Sequence, residues 1–265
     1  MSGLGFMCLM ALETLPPLDL YTVRRAATTI APGEEVAIER RQIWPDEPSL
    51  IVELSGHALA VHAYRGRIPE REYFDAVSGN LFWPDAADAM ARHSACLSIC
   101  AATAPRDPAE ARDQAVAVTR LAVSFAQALP LLGLHWYGTG RMTSPERLAT
   151  TPREIDLGFW PVDVWLGYVP LGTDRPGEPL VFGARTIGAS PFLGCEIELP
   201  PEQVPEKIER IRTLFDAVRV LVGAGDGVED SKVIETPGKS GRTWQLQFAR
   251  GAKAPLARLV DLTGD

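Results

Sequence analysis

The residues best suited to chemistry stand between Gly183 and Leu199, where two predicted strands carry Arg185, Glu196 and Glu198 on either side of a Gly/Ser/Pro turn. Because Glu196 and Glu198 alternate with apolar neighbours, both carboxylates lie on one face of their strand. A hairpin would place Arg185 beside one of them as a cross-strand ion pair. Three interpretations stay open: a solvated salt bridge on a sheet face, a polar recognition patch, or a carboxylate pair for acid–base work.

Aromatic side chains concentrate near the middle of the chain and offer a second kind of site. They are Trp136, Tyr137, Phe159, Trp160, Trp165 and Tyr168. Such a group walls a pocket, forms the centre of an interface, or is ordinary core. His135 is either a half-buried strand residue or a member of that pocket. The candidate binding residues are therefore Arg185, Glu196, Glu198, His135, Trp136 and Trp165. No residue is assigned a catalytic role.

The other histidines and the cysteines form no recognised catalytic or metal-binding motif. His57 and His62 are close together on a predicted strand, but their odd spacing points them to opposite faces, so they cannot share a metal ion. Cys96 and Cys100 fall on the same face of another strand, but about 13 Å of extended chain separates them, far beyond disulfide distance. We expect no metal, no cofactor, and cysteines that are reduced core residues.

Composition and charge narrow the class of protein. The 265-residue chain has a formal net charge of -8, and 46% of its residues are hydrophobic, enough for a substantial core. A negative chain is a poor match for nucleic acid, because phosphates are bound by clustered Lys and Arg. No run approaches the roughly 18 apolar residues of a membrane span, and no basic region marks a signal peptide. We expect a cytoplasmic protein with no nucleic-acid or membrane partner.

Hydrophobic periodicity and turn residues predict an α+β first half. The predicted elements are strands at 6–12, 49–54, 58–64 and 95–102, and helices at 18–30 and 69–93. The order strand, helix, strand, strand, helix, strand is that of a ferredoxin-like unit. A third helix begins at Asp107-Pro108, because these residues and Glu110 supply an N-cap, a proline at the first helical position and a capping-box glutamate.

A region rich in Gly, Pro, Thr and charge at 138–161 separates this half from a second one of similar size. The second half has predicted strands at 162–169, 180–187 and 193–199, then a long helix that ends at Gly223, then a hairpin at 232–236 and 243–248. We expect mainly antiparallel sheets covered by helices. The two halves, 1–150 and 151–265, pack together as two domains or as one continuous domain.

Several short runs occur along the chain in a recognisable order. They are Ile68-Pro69 before a helix, Trp83-Pro-Asp-Ala86, Ala91-Arg-His-Ser94 entering an apolar strand, Leu134-His-Trp-Tyr137 after a long helix, and Arg185-Thr-Ile-Gly188 leading to Gly194-Cys-Glu-Ile-Glu198. Together, over about residues 50–248, they resemble the bacterial domain-of-unknown-function family 4261. The resemblance implies a bacterial cytoplasmic protein. It brings no established reaction, and orphan families of this kind often include partners of secreted toxins.

Three functional hypotheses follow. The leading one is a non-enzymatic cytoplasmic protein-binding protein of the immunity type, whose acidic surface neutralises a more basic secreted toxin; it is motivated by negative charge without a catalytic constellation. The first alternative is a small-molecule-binding sensor or a hydrolase-type enzyme that uses Arg185, Glu196 and Glu198 beside the aromatic residues. The second alternative is a structural subunit of a larger assembly.

Overall fold

In the computed structural model, the chain has an α+β fold with two sheets, and the α+β class is the one that the sequence predicts. The structure describes residues 5–15, 23, 37–44, 47–78, 80–175, 177–225, 228–236, 242–249 and 254–262. The chain divides into two compact units. Unit 1 comprises Met1–Arg106 and Glu110–Leu157, and unit 2 comprises Asp107–Ala109 and Gly158–Asp265. The structure therefore divides after Leu157, where the sequence placed the division after residue 150.

Unit 1 contains a seven-stranded sheet. Its strands are β1 (Met7–Leu12), β2 (Ala37–Trp44), β3 (Glu47–Leu54), β4 (His57–Tyr64), β5 (Ala95–Ala101), β6 (Leu131–Trp136) and β7 (Arg141–Thr143). They lie in the order β2-β3-β4-β5-β1-β6-β7, and the neighbouring pairs are antiparallel. The helices are α1 (Glu70–Ser78), α2 (Ala86–Ala91), α3 (Pro108–Ala128) and α4 (Pro145–Asp156). The helix predicted at 18–30 lies, apart from Val23, outside the described residues.

Four strands of this sheet have the ferredoxin-like arrangement. They lie in the order β4-β5-β1-β6, and α3 carries the chain from β5 past β1 to β6. The sequence pointed instead to β1, β3, β4 and β5 as the four strands. In the structure β5 stands between β4 and β1, and β6 is the fourth strand. All residues of β5 are buried, as expected of a strand at the centre of a sheet that is covered on both faces.

Unit 2 contains a six-stranded sheet and one long helix. Its strands are β8 (Gly167–Thr173), β9 (Val181–Ile187), β10 (Glu196–Gln203), β11 (Val233–Glu235), β12 (Thr243–Phe248) and β13 (Leu256–Asp261). Its helices are α5 (Val162–Trp165), α6 (Ser190–Leu193) and α7 (Lys207–Ala224). The order is β11-β12-β13-β10-β9-β8, and only the β10–β13 pair is parallel among the described strands.

Helix α7 covers one face of this sheet. The ring of Phe215 on α7 lies 6.3 Å from the ring of Tyr168 on β8. Because side chains alternate along a strand, Val169 points to the opposite face, and its antiparallel partner Arg185 points there with it. The candidate residues of β9 and β10 therefore belong to the face that α7 leaves uncovered. Within the described residues, no helix is long and apolar enough to cross a membrane.

Candidate functional site

The Glu196 carboxylate accepts five hydrogen bonds, one from the end of β9 and four from the turn between β9 and β10. Backbone N–H groups of Gly188, Ala189 and Ser190 donate to it at 3.1, 3.1 and 3.2 Å. The hydroxyl of Thr186 donates at 2.6 Å, and that of Ser190 donates at 2.9 Å. Successive backbone N–H groups of this kind form a natural anion-binding nest. Here the protein's own glutamate occupies the nest.

The local sequence explains why the turn closes on Glu196. The N–H groups at the start of α6 have no helical partners of their own, so they are free to bind a carboxylate. Gly194 follows α6 with a φ of 77°, a left-handed conformation that lets the chain reverse directly into β10. Thr186 links the end of β9 to the start of β10. Its hydroxyl accepts a hydrogen bond from the Ile197 N–H at 2.8 Å and donates one to Glu196.

Glu198 forms an ion pair that the sequence did not reveal. It is directly opposite Arg185 in the β9–β10 pairing, where the sequence predicted only that one of the two glutamates would lie beside Arg185. Its other neighbour is Arg258 on β13, and the Arg258 Nε lies 2.7 Å from the Glu198 Oε1. Glu198 is buried and Arg258 is mostly exposed. The carboxylate therefore pairs with Arg258, and the pairing with Arg185 that the sequence allowed is not formed.

Arg185 consequently presents an uncommitted guanidinium. It is half-buried, and within the described residues its side chain makes no hydrogen bond or ion pair. It borders a cleft of about 360 Å³, named here the Arg185 cleft. The lining residues are Val169, Arg185, Thr186, Ile187, Glu196, Ala254, Pro255 and Leu256. A single cation beside an apolar wall can bind an anion that carries an apolar group.

His135 is buried, and its ring lies edge-on to that of Tyr137, with 6.4 Å between the ring centroids. The residue is 2% exposed, and neither ring nitrogen has a hydrogen-bond partner within the described residues. Burial lowers the pKa of His135 to about 4, an effect that the Glu72 carboxylate partly offsets. The neutral ring is thus the form that the fold accommodates.

Trp136 and Trp165 are core residues of different units. Trp136 is 1% exposed, in unit 1, with its ring 6.0 Å from that of Phe6. Trp165 is fully buried in unit 2 and stacks on Phe192 with ring centroids 5.5 Å apart. Of the six candidates, the structure therefore brings Arg185, Glu196 and Glu198 to one sheet face. The others lie elsewhere.

A second cleft, of about 370 Å³, lies in unit 1, at residues for which the sequence predicted no site. This Trp83 cleft is lined by Trp83, Asp85, Asp88, Ala89, Arg92, Leu131, Leu132, Pro145 and Glu146. The side chains of Asp85, Asp88 and Glu146 are exposed, and within the described residues they make no hydrogen bond or ion pair. The spacing of Asp85 and Asp88 at the start of α2 was the one available signal. Glu146 comes from the distant α4, so no sequence pattern connects it to them.

Among the described residues, we find no reactive cysteine and no cluster of metal ligands. All four cysteines are buried thiols. Burial, assisted by the nearby Glu196, raises the pKa of the Cys195 thiol to about 11, and burial also raises the pKa of Cys8 and Cys100. High pKa values disfavour the reactive thiolate. In the described ranges, no group of three or more His, Cys, Asp or Glu side chains is placed to hold a metal ion.

Comparisons with known proteins returned no match: no protein-family model, no curated protein and no solved structure matches this chain. The resemblance to family 4261 therefore stays a prediction.

Proposed function

We propose that this protein acts by binding, and that unit 2 recognises an anionic ligand with an apolar body in the Arg185 cleft. One observation carries the proposal. Arg185 is the cation of the cleft, and within the described residues it has no partner, although two glutamates lie close by on the same sheet face. An unpaired guanidinium in a partly desolvated cleft binds an anion more strongly than a fully solvated one does.

The state of the two glutamates favours binding over acid–base catalysis. A general acid or base must exchange a proton with the substrate, so its carboxylate needs a free oxygen facing the reacting group. Both oxygens of Glu196 already accept hydrogen bonds from the turn, and Glu198 is paired with Arg258. Both side chains hold the sheet and its turn in place. They leave Arg185 as the group that meets the ligand.

The proposal is tested by titrating the protein with two anions that have an aliphatic body, 4-methylpentanoate and 3-methylbutyl phosphate. Isothermal calorimetry should show saturable binding of at least one of them. Arg185→Gln should weaken that binding at least tenfold, because a charge-assisted hydrogen bond is lost. The matched control is Arg212→Gln, which removes the same charge from an exposed position on α7. Absence of saturable binding to the wild type, or equal affinity in Arg185→Gln, would overturn the proposal.

A second candidate function is capture of a basic protein, the partner expected of an immunity protein. The observation that favours it is the Trp83 cleft, which places three unpaired carboxylates and one arginine around a tryptophan in a chain of net charge -8. Tryptophan and carboxylates together suit a guanidinium or ammonium group.

A hexa-arginine peptide is the probe for this second function. Asp88→Asn with Glu146→Gln should weaken peptide binding at 150 mM salt about tenfold. The control, Glu206→Gln with Glu209→Gln, makes the same change of charge at exposed positions of unit 2 and should weaken it less than twofold. Equal losses in the two double variants would show that net charge acts without the cleft, and would contradict the assignment.

A further inference from the structure

We infer that the ligand of the Arg185 cleft is a monocarboxylate with a branched aliphatic body, an inference that rests on the anion-binding function proposed above. The charges around Arg185 admit a single negative charge. Across the sheet, Val169, Arg185, Glu198 and Arg258 stand in one row of paired positions. Arg258 is the ion-pair partner of Glu198, and the Glu196 carboxylate is bound by five hydrogen-bond donors, so Arg185 is the one cation lining the cleft, among the described residues, without an ion-pair partner.

The occupied nest argues against phosphate. Proteins bind phosphate with several backbone N–H groups at the start of a helix or in a nest, together with a cation. The backbone donors next to the cleft are the N–H groups of Gly188, Ala189 and Ser190, and all three already bind Glu196, which lines the cleft. Of the residues that the structure describes in the lining, a phosphate dianion would meet Arg185 as its one cation. Its second charge would lie on a face that carries Glu196 and Glu198.

A carboxylate can be bound by the guanidinium of Arg185 without further donors. The guanidinium presents parallel N–H groups in a plane, and a carboxylate accepts two of them side by side. One such bond pair satisfies the ligand's charge without help from the turn. The occupied nest therefore selects for an anion that a single arginine can satisfy.

The remaining lining residues define the body of the ligand. Val169, Ile187, Pro255 and Leu256 supply apolar surface beside the guanidinium. A cleft of about 360 Å³ is near the small end of ligand sites, so it suits a compact body of a few carbons. Aliphatic acids have this form, and so does a C-terminal leucine or isoleucine of a polypeptide.

The experiment compares 4-methylpentanoate, acetate and 3-methylbutyl phosphate by calorimetry at pH 7.5. We expect 4-methylpentanoate to bind at least tenfold more tightly than the phosphate, whose second charge is unmatched, and more tightly than acetate, which lacks the apolar body. Phosphate binding as tight as carboxylate binding would overturn this inference and leave anion binding at Arg185 intact. Affinities unchanged by Arg185→Gln would instead overturn the proposed function itself.

Two further arms identify the source of the carboxylate. The peptides acetyl-Gly-Gly-Leu and its C-terminal amide differ only in the terminal charge. Tighter binding of the acid peptide than of 4-methylpentanoate supports a polypeptide C-terminus, and the reverse order supports a free aliphatic acid. Both orders uphold the monocarboxylate. Binding of the amide with the affinity of the acid would contradict it.

Discussion

The Arg185 cleft of unit 2 and the Trp83 cleft of unit 1 have nearly the same volume and opposite character. Each is lined by charged and apolar side chains. In the Arg185 cleft the carboxylate is bound by the protein's own backbone, which leaves one cation for a ligand. In the Trp83 cleft three carboxylates stay exposed and unpaired among the described residues. The two clefts differ because the charged groups already paired within the protein are not available to a ligand, and the groups left unpaired decide the sign of the ligand's charge.

The same contrast extends to polar groups below the surface. Glu196 in unit 2 accepts hydrogen bonds from five donors, whereas the ring nitrogens of His135 in unit 1 have no hydrogen-bond partner within the described residues. Polar groups that are satisfied stabilise the fold, and buried ones without partners cost free energy.

Glu196→Ala should give the largest effect, because it leaves five donors of the β9–β10 turn unbound. We expect the free energy of unfolding of unit 2 to fall by about 4 kcal/mol, from the loss of several charge-assisted hydrogen bonds. Urea denaturation followed by tryptophan fluorescence measures it. The control Glu209→Ala, at an exposed position of α7, should change stability by less than about 0.5 kcal/mol.

In Glu196→Ala the N–H groups that bound the carboxylate are free to bind an added anion, which provides a second measurement. Added phosphate should raise the melting temperature of Glu196→Ala more than that of the wild type, because the anion can replace the missing carboxylate. An equal rise in both proteins would mean that the donors do not form a nest, and would remove the basis of the comparison.

Acid should destabilise unit 1 through His135. The folded-state pKa is lowered from 6.5 to about 4, so below pH 6.5 the unfolded chain binds a proton that the folded chain excludes. Stability is therefore full above pH 6.5 and is lost as the pH falls towards 4, by about 3 kcal/mol. His135→Leu should remove most of this pH dependence and raise stability at neutral pH. His57→Leu, at a half-exposed position of β4, is the control. A pH profile that is identical in His135→Leu and wild type would be evidence that His135 has a partner.

Arg258→Ala should weaken binding of 4-methylpentanoate about three- to fivefold, although Arg258 does not line the cleft. Without Arg258, the Glu198 carboxylate is left opposite Arg185 and competes for its guanidinium. Adding Glu198→Gln to Arg258→Ala should restore the affinity, since the competing charge is gone. Calorimetry measures all three proteins. Failure of the second substitution to rescue binding would show that Arg258 does not act through Glu198.

Val169→Thr should give the smallest effect, a loss of about threefold in affinity for 4-methylpentanoate with little change for acetate. The substitution keeps the shape of the side chain and places a hydroxyl on the apolar wall. An equal loss for both ligands would indicate that Val169 shapes the position of Arg185 and does not contact the aliphatic body.

Local features of the fold were readable from the sequence, and long-range partners were not. The start of α3 at Pro108 was predicted from Asp107, Pro108 and Glu110. The pairing of β9 with β10 was predicted from the turn between them, but which glutamate lies opposite Arg185 was not. Arg258 lies on β13, which joins β10 through a parallel pairing that no local pattern encodes. Likewise, the position of β5 between β4 and β1 depends on burial of both its faces.

In the candidate site too, long-range partners could not be predicted from the sequence. The sequence placed Glu196 and Glu198 correctly on one strand face, but their roles depend on partners outside that strand. Glu196 is bound by backbone N–H groups of the preceding turn, which carry no side-chain signature. Trp136 and Trp165 are aromatic residues close in sequence, yet they occupy the cores of different units. Composition could not distinguish a pocket wall from core.

Within the described part of the chain, Arg185 is the cation that lines its cleft without a side-chain partner, and NMR of arginine side chains tests this most directly. In protein labelled with ¹⁵N-arginine, the Nε–H resonance of Arg185 should shift progressively and saturate as 4-methylpentanoate is added, because a new hydrogen bond forms there. The Nε–H of Arg258, already bound to Glu198 at 2.7 Å, should stay in place. An Arg185 resonance that does not move while the ligand binds would contradict the account.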